Sequence, residues 1–176
     1  MTIDQTLRPD ELVIVRDGPV GEGLAEVVDA AASGTATAGV PVRVVALEEN
    51  VGLARALEAG LAVCAHEIVA RADADDISLP QRFAVQVPLV ADGLDLVSSA
   101  IVEFSEDENV VGLVRGFPTD AAAIARRARF QDPFNHPATV YRRSAVRAAG
   151  GYRHLERLAT ELIACRNRAI EDLADR

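Results

Sequence analysis

An α/β fold with a mostly parallel, Rossmann-like sheet flanked by helices is what this sequence predicts, and three observations predict it. Short β-branched runs alternate with helical stretches through the first half of the chain, the pattern of βαβ units. The end of each of the first three runs carries acidic or amide side chains, at the rim where open α/β sheets bind ligands. The length, 176 residues, suits one domain, and a chain of that size buries roughly 70% of its unfolded surface.

The elements follow in order. "ELVIVR" (11–16) is short and almost continuously apolar, so it reads as a buried strand. "DGPVGEG" (17–23) is turn chemistry. "LAEVVDAAAS" (24–33) has helical spacing, with Leu24, Val27, Val28 and Ala31 on one face. A loop bounded by Gly34 and Gly39 leads to a second strand, "VRVVAL" (42–47). The stretch 52–65 is a helix with Leu53, Ala56, Leu57, Gly60, Leu61 and Cys64 on one side. "EIVARA" (67–72) is a third strand, ending at an acidic cluster. A helix is expected over 78–87, with Ser78 as its cap and Pro80 in its first turn. Further on, 94–104 reads as one strand, 105–109 as an acidic turn and "VVGLVRGF" (110–117) as a return strand. The stretch 119–130 is a helix capped by Thr119 or Asp120, and 136–142 is another strand. Ser144 is expected to cap a short helix that stops at Gly150-Gly151, and the tail from Leu155 reads as a charged helix.

Composition excludes several functions. Hydrophobic residues make up 49% and aromatics only 4%, so the core is aliphatic. The net charge of −9 argues against nucleic acid or an anionic membrane as partner. All 18 basic residues are Arg, which removes Walker-type phosphate loops and Schiff-base chemistry, since both need Lys. Cys64 and Cys165 lack metal-site spacing, and Cys64 reads as a buried reduced thiol. No apolar run is long enough for a transmembrane segment. The polar N-terminus resembles no targeting peptide, so a cytoplasmic location is the default. His66 and His154 have no ligand spacing and read as surface residues.

"RADADDIS" (71–78) puts three carboxylates into four positions. Carboxylates held this close disfavour one another's ionised forms, and a hard divalent cation such as Mg²⁺ or Mn²⁺ reverses that penalty. Asp73 and Asp75 project to one side of an extended turn, and Asp76 points elsewhere. Spacing alone leaves two readings, a solvated acidic turn or a metal site.

The neighbours of that turn carry a resemblance. "NVGLARALEAGL" (50–61) followed by "IVARADADDISLPQRFAVQV" (68–87) resembles the nucleotide-sugar glycosyltransferases of family two, which have the GT-A fold. "QTLRPDELVIVRDGP" (5–19) looks like that family's second strand and its approach, and "FNHPATVYRRSAVRAAGGYR" (134–153) is similar to the region following its sheet. The resemblance implies a partial GT-A-like nucleotide-sugar-binding domain over 1–153 and a C-terminal helix over 154–176. It implies a nucleoside-diphosphate sugar as donor, an acceptor that is a glycan, lipid or small molecule, a Mg²⁺ or Mn²⁺ cofactor and, usually, inversion. Asp17 would reach the base or ribose, and Asn50 and Arg71 would border the nucleotide pocket. Asp73 would contact the ribose side and the metal, Asp75 would ligate the metal, and His136 would lie near the diphosphate or acceptor. Each has a plainer reading: Asp17 as a turn residue, Asn50 as a helix cap, Arg71 as an ion-pair partner of the acidic cluster, His136 as a hydrogen-bonded loop residue.

Relative to the family pattern the chain looks truncated at both ends. The opening strand and helix ahead of Gln5 are missing, and their loss would leave strand edges unpaired and self-association open. The acidic pair that follows "GGY" in the family, and supplies its catalytic base, is replaced here by Ala159 and Thr160. Glu156 and Glu161 are the nearest carboxylates, and Glu161 is the candidate base. Two other functions fit these residues less fully. One is a catalytically inactive relative acting as a binding or interaction module. The other is a metal-dependent phosphotransferase or phosphatase, which the lack of Lys disfavours.

Overall fold

A computed structural model describes residues 4–104 and 111–152. The expected acidic turn over 105–109, the tail helix, His154, Glu156, Glu161 and Cys165 lie outside these residues.

The elements run β1 (Leu12–Arg16), α1 (Glu22–Ala32), β2 (Val42–Ala46), α2 (Leu53–Val63), β3 (Ile68–Ala70), α3 (Arg82–Ala91), β4 (Leu96–Ser98), β5 (Ile101–Phe104), β6 (Val111–Arg115) and α4 (Ala121–Ala128). A turn of 3-10 helix (His136–Ala138) then leads into β7 (Thr139–Arg142) and α5 (Arg143–Ala148). The α/β class with flanking helices is as the sequence predicts.

Parallel pairing joins β1 to β2, with Ile14 opposite Val44. A separate three-stranded sheet has β7 between β3 and β4, antiparallel to both. β5 and β6 form an antiparallel ladder of their own. Helix α2 lies so close to β1 that a Cβ on Gly60 would stand 2.7 Å from the Val15 side chain. The core centres on β7 and α3: Val140 and Val90 are fully buried, with Phe83, Gln86, Thr139 and Tyr141 around them.

Local expectations fail in four places. The single strand expected over 94–104 is two strands in different sheets, β4 and β5. Helix α3 begins at Arg82, because Ser78 is buried and its hydroxyl accepts from Arg82 Nη1 at 3.0 Å. Ser144 does not cap α5: its amide donates to Glu67 Oε1 at 3.0 Å, and Arg142 holds the cap position. On α1, Leu24 and Val27 are exposed, and only Ala31 is buried. By contrast, Asp120 caps α4 as expected, its carboxylate accepting from the Ala123 amide at 2.8 Å. Among the described residues no helix is long and apolar enough to cross a membrane.

Candidate functional site

The strand ends predicted to converge carry two groups of side chains. At the end of β1, the Asp17 carboxylate accepts from the amides of Val51 at 2.7 Å and Gly52 at 3.0 Å. It thereby satisfies donors at the start of α2 that the helix itself cannot pair. Asn50 Oδ1 accepts from the same Gly52 amide at 3.2 Å. Gly18 has φ +92°, and a Cβ there would meet the Asn50 amide nitrogen at 2.8 Å. Glycine is therefore required for β1 to turn against the Glu49–Asn50 backbone. Asp17 and Asn50 are brought together at the Gly52 amide, and there both side chains serve as structural acceptors.

The second group is the acidic turn after β3. The Arg71 amide extends the ladder by donating to Thr139 O at 2.9 Å. The Arg71 side chain is buried, and its Nη2 pairs with Asp73 Oδ1 at 2.8 Å. Its Nε is buried with no hydrogen-bond partner, an unmet donor beside the carboxylates. The Asp76 amide closes the turn onto Asp73 O at 3.3 Å. Burial, then the charges of Asp73 and Asp75, push the Asp76 carboxyl above the usual aspartate range. That like-charge penalty is the one an incoming cation removes.

His136, half-buried in the 3-10 turn before β7, lies within electrostatic reach of Arg71 and Asp73. Burial, then the Arg71 charge, hold its imidazole below its usual 6.5, with Asp132 and Asp73 opposing. The ring is therefore neutral at pH 7. It lies 5.6 Å from the Tyr152 ring, tilted by 43°. The Tyr152 and Tyr141 hydroxyls share a hydrogen bond at 3.1 Å, and burial raises both phenols above their usual range. Glu58 fixes this corner by accepting from the Tyr152 amide at 3.0 Å.

Three residues that sequence reasoning did not assign hold the turn in place. Arg82 donates to Arg71 O at 2.6 Å, Thr139 O at 3.2 Å and Gln86 Oε1 at 3.0 Å. Gln86 Nε2 donates to Ala138 O at 2.9 Å, just after His136. Gln5 reaches across 78 positions: its Oε1 accepts from the Phe83 amide at 3.1 Å, capping α3 from a distance, and its Nε2 donates to Leu79 O. Arg82 and Gln86 belong to the quoted "PQRFAVQ" stretch, which was the available signal. Thus Arg71, Asp73, Asp75, Asp76 and His136 share one corner, while Glu161 lies outside the described residues.

Among the described residues, no three His, Cys, Asp or Glu side chains are grouped so as to hold a metal ion by themselves. With one Asp73 oxygen committed to Arg71, the turn offers one or two carboxylates. Such a donor set fits a hard divalent cation that takes its remaining oxygen ligands from outside the protein, rather than an all-protein cage.

The chain matches the family model described as glycosyl transferase family 2 over residues 2–150. It belongs to that family. It is 41% identical over 152 residues to the amylovoran biosynthesis glycosyltransferase AmsE of Erwinia amylovora, covering 85% of this chain and 54% of that protein. It is 33% identical over 149 residues to an Escherichia coli UDP-Gal:alpha-D-GlcNAc-diphosphoundecaprenol beta-1,3-galactosyltransferase, covering 84% of this chain and 52% of that one. An uncharacterized glycosyltransferase of Haemophilus influenzae is 35% identical over 156 residues. The chain spans about half the length of these curated relatives.

Proposed function

We propose that this chain is the nucleotide-sugar-binding part of a family-two glycosyltransferase that passes a sugar from a nucleoside-diphosphate donor to an acceptor hydroxyl, with inversion. The observation that carries it is the carboxylate turn Asp73–Asp76, backed by buried Arg71 and within electrostatic reach of neutral His136. A donor named UDP-Gal in the Escherichia coli relative supports a uridine diphosphate donor, and its diphosphoundecaprenol acceptor supports a lipid-linked one.

In this reading Asp75 and the second oxygen of Asp73 would hold Mg²⁺ or Mn²⁺, which when bound would supply positive charge to offset that of the leaving diphosphate. Arg71 fixes the Asp73 carboxylate and keeps a buried N–H in reserve for an acceptor atom of the ligand. Burial and the Arg71 charge favour the neutral His136 ring, which offers a hydrogen bond to a phosphate or hydroxyl oxygen. Asp17 and Asn50 hold the loop ahead of α2 as one wall for the nucleoside. Glu161 is the candidate general base.

Calorimetric titration of UDP with and without Mn²⁺ tests this. Binding that needs Mn²⁺ and is lost in Asp75→Ala supports the donor site. Absence of binding under both conditions sinks it. Metal-dependent binding without sugar transfer from UDP-sugars would instead favour an inactive binding module.

A further inference from the structure

A cavity of about 490 Å³ has His136 in its wall, and none of Asp17, Asn50, Arg71, Asp73 or Asp75. Its wall includes Arg115, Phe117, Arg127, Gln131, Asp132 and Phe134. The volume falls within the roughly 300–1,000 Å³ of small-molecule sites. We propose that this cavity is the acceptor subsite, and that it binds the neutral sugar ring of a glycoside. The proposal rests on the donor-site reading only for the word acceptor; the ligand class follows from the wall.

The wall is built. Asn135, itself buried, donates from Nδ2 to Ser99 O at 2.8 Å and to Arg115 O at 3.2 Å. Ser98 Oγ donates back to Asn135 O at 3.1 Å. These bonds tie the end of β4, the end of β6 and the His136 turn into one frame. The Arg127 guanidinium stacks 4.4 Å over the Phe117 ring, and its Nε donates to Asp132 O at 3.4 Å. The Asp132 carboxylate accepts from the Phe134 amide at 2.9 Å.

Charge decides between a sugar and a phosphate. Arg115 is paired with Glu103, and Asp132 stands beside Arg127 on the wall. The lining is therefore close to neutral, and Asp132 repels an anion. What it offers is planar polar groups of both kinds: the Arg127 fork, the Gln131 amide and the Asp132 carboxylate. A pyranose presents hydroxyls that donate and accept in alternation and an apolar C–H face. Planar side chains match the hydroxyls, and the Phe117 and Phe134 rings match the C–H face. Shared lining by His136 puts a sugar held here next to the donor group.

The test uses the whole chain and nuclear magnetic resonance titration with methyl glycosides of glucose, galactose and N-acetylglucosamine, and separately with inorganic pyrophosphate. Saturable shifts of the Phe117, Gln131 and His136 signals with at least one glycoside are expected. Phe117→Ala and Arg127→Gln are each expected to weaken that binding at least tenfold while unfolding temperature and UDP–Mg²⁺ binding are retained. Shifts with pyrophosphate alone would make the cavity an anion site and overturn the proposal. So would the absence of cavity shifts with every probe. Glycoside binding in a chain that fails to bind UDP would leave the cavity assignment standing and remove the donor-site reading instead.

Discussion

The Arg82 guanidinium donates to the Arg71 carbonyl oxygen at 2.6 Å, joining α3 to the point where β3 gives way to the acidic turn. The same side chain reaches Thr139 O, Ser78 Oγ and Gln86 Oε1. One residue thus sets the spacing between the carboxylates and the strand that follows His136.

Removing that residue strands several polar groups at once. Arg82→Ala is expected to lower stability by about 2–3 kcal/mol, the scale of losing a charged hydrogen-bond donor to partly buried acceptors. Arg82→Lys should recover only part, since one ammonium cannot reproduce the planar fork. Urea unfolding of the three proteins measures this, and a loss within error for Arg82→Ala would refute the clamp.

The end of β1 makes a sharper steric demand. Gly18→Ala forces a side chain into φ +92° and against the Asn50 amide nitrogen at 2.8 Å. Left-handed strain and overpacking together are expected to cost about 2–4 kcal/mol. If the Glu49–Asn50 loop moves to relieve the clash, UDP affinity falls along with the unfolding temperature. A neutral substitution would show that this loop yields freely.

Asp17 has a structural use that is separable from any contact with a nucleoside. Asp17→Ala removes the acceptor of the Val51 and Gly52 amides. A loss of about 1–2 kcal/mol is expected in the absence of nucleotide, comparable to losing a helix cap. Asp17→Asn keeps one acceptor oxygen and should lose less. Thermal unfolding without ligand isolates this term, and UDP titration then shows whether affinity falls beyond it.

How much of this was legible in the sequence depends on the range of the interaction. The alternation from β1 through β3 rests on local periodicity, and it is found where expected. The α4 cap is equally local, Asp120 being three residues from its donor. The antiparallel insertion of β7 between β3 and β4 was not legible, because periodicity names a strand but not its partner. The start of α3 was misplaced because Ser78 is drawn to the Arg82 guanidinium and the distant Gln5 caps the helix instead. The site divides in the same way. The Asp73–Asp76 turn was visible as a charge cluster, and the orphaned Arg71 Nε, the Tyr141–Tyr152 pair and the Arg127–Phe117 stack were not, since each depends on chain segments meeting in space.

The environment of His136 has a pH signature with a definite sign. Burial and the Arg71 charge hold the folded imidazole below its unfolded 6.5. Between those two values the unfolded chain binds a proton that the folded chain refuses, so stability is lost as pH falls through 6.5 and levels off below the folded value. His136→Gln cannot titrate and should lack this component. Urea unfolding at pH 7.5 and pH 5.5 is expected to show wild type losing more stability on acidification than His136→Gln does. An equal loss in both proteins would mean that the imidazole is as free to protonate as in water, and His136 would then be charged in mild acid instead of a neutral ring.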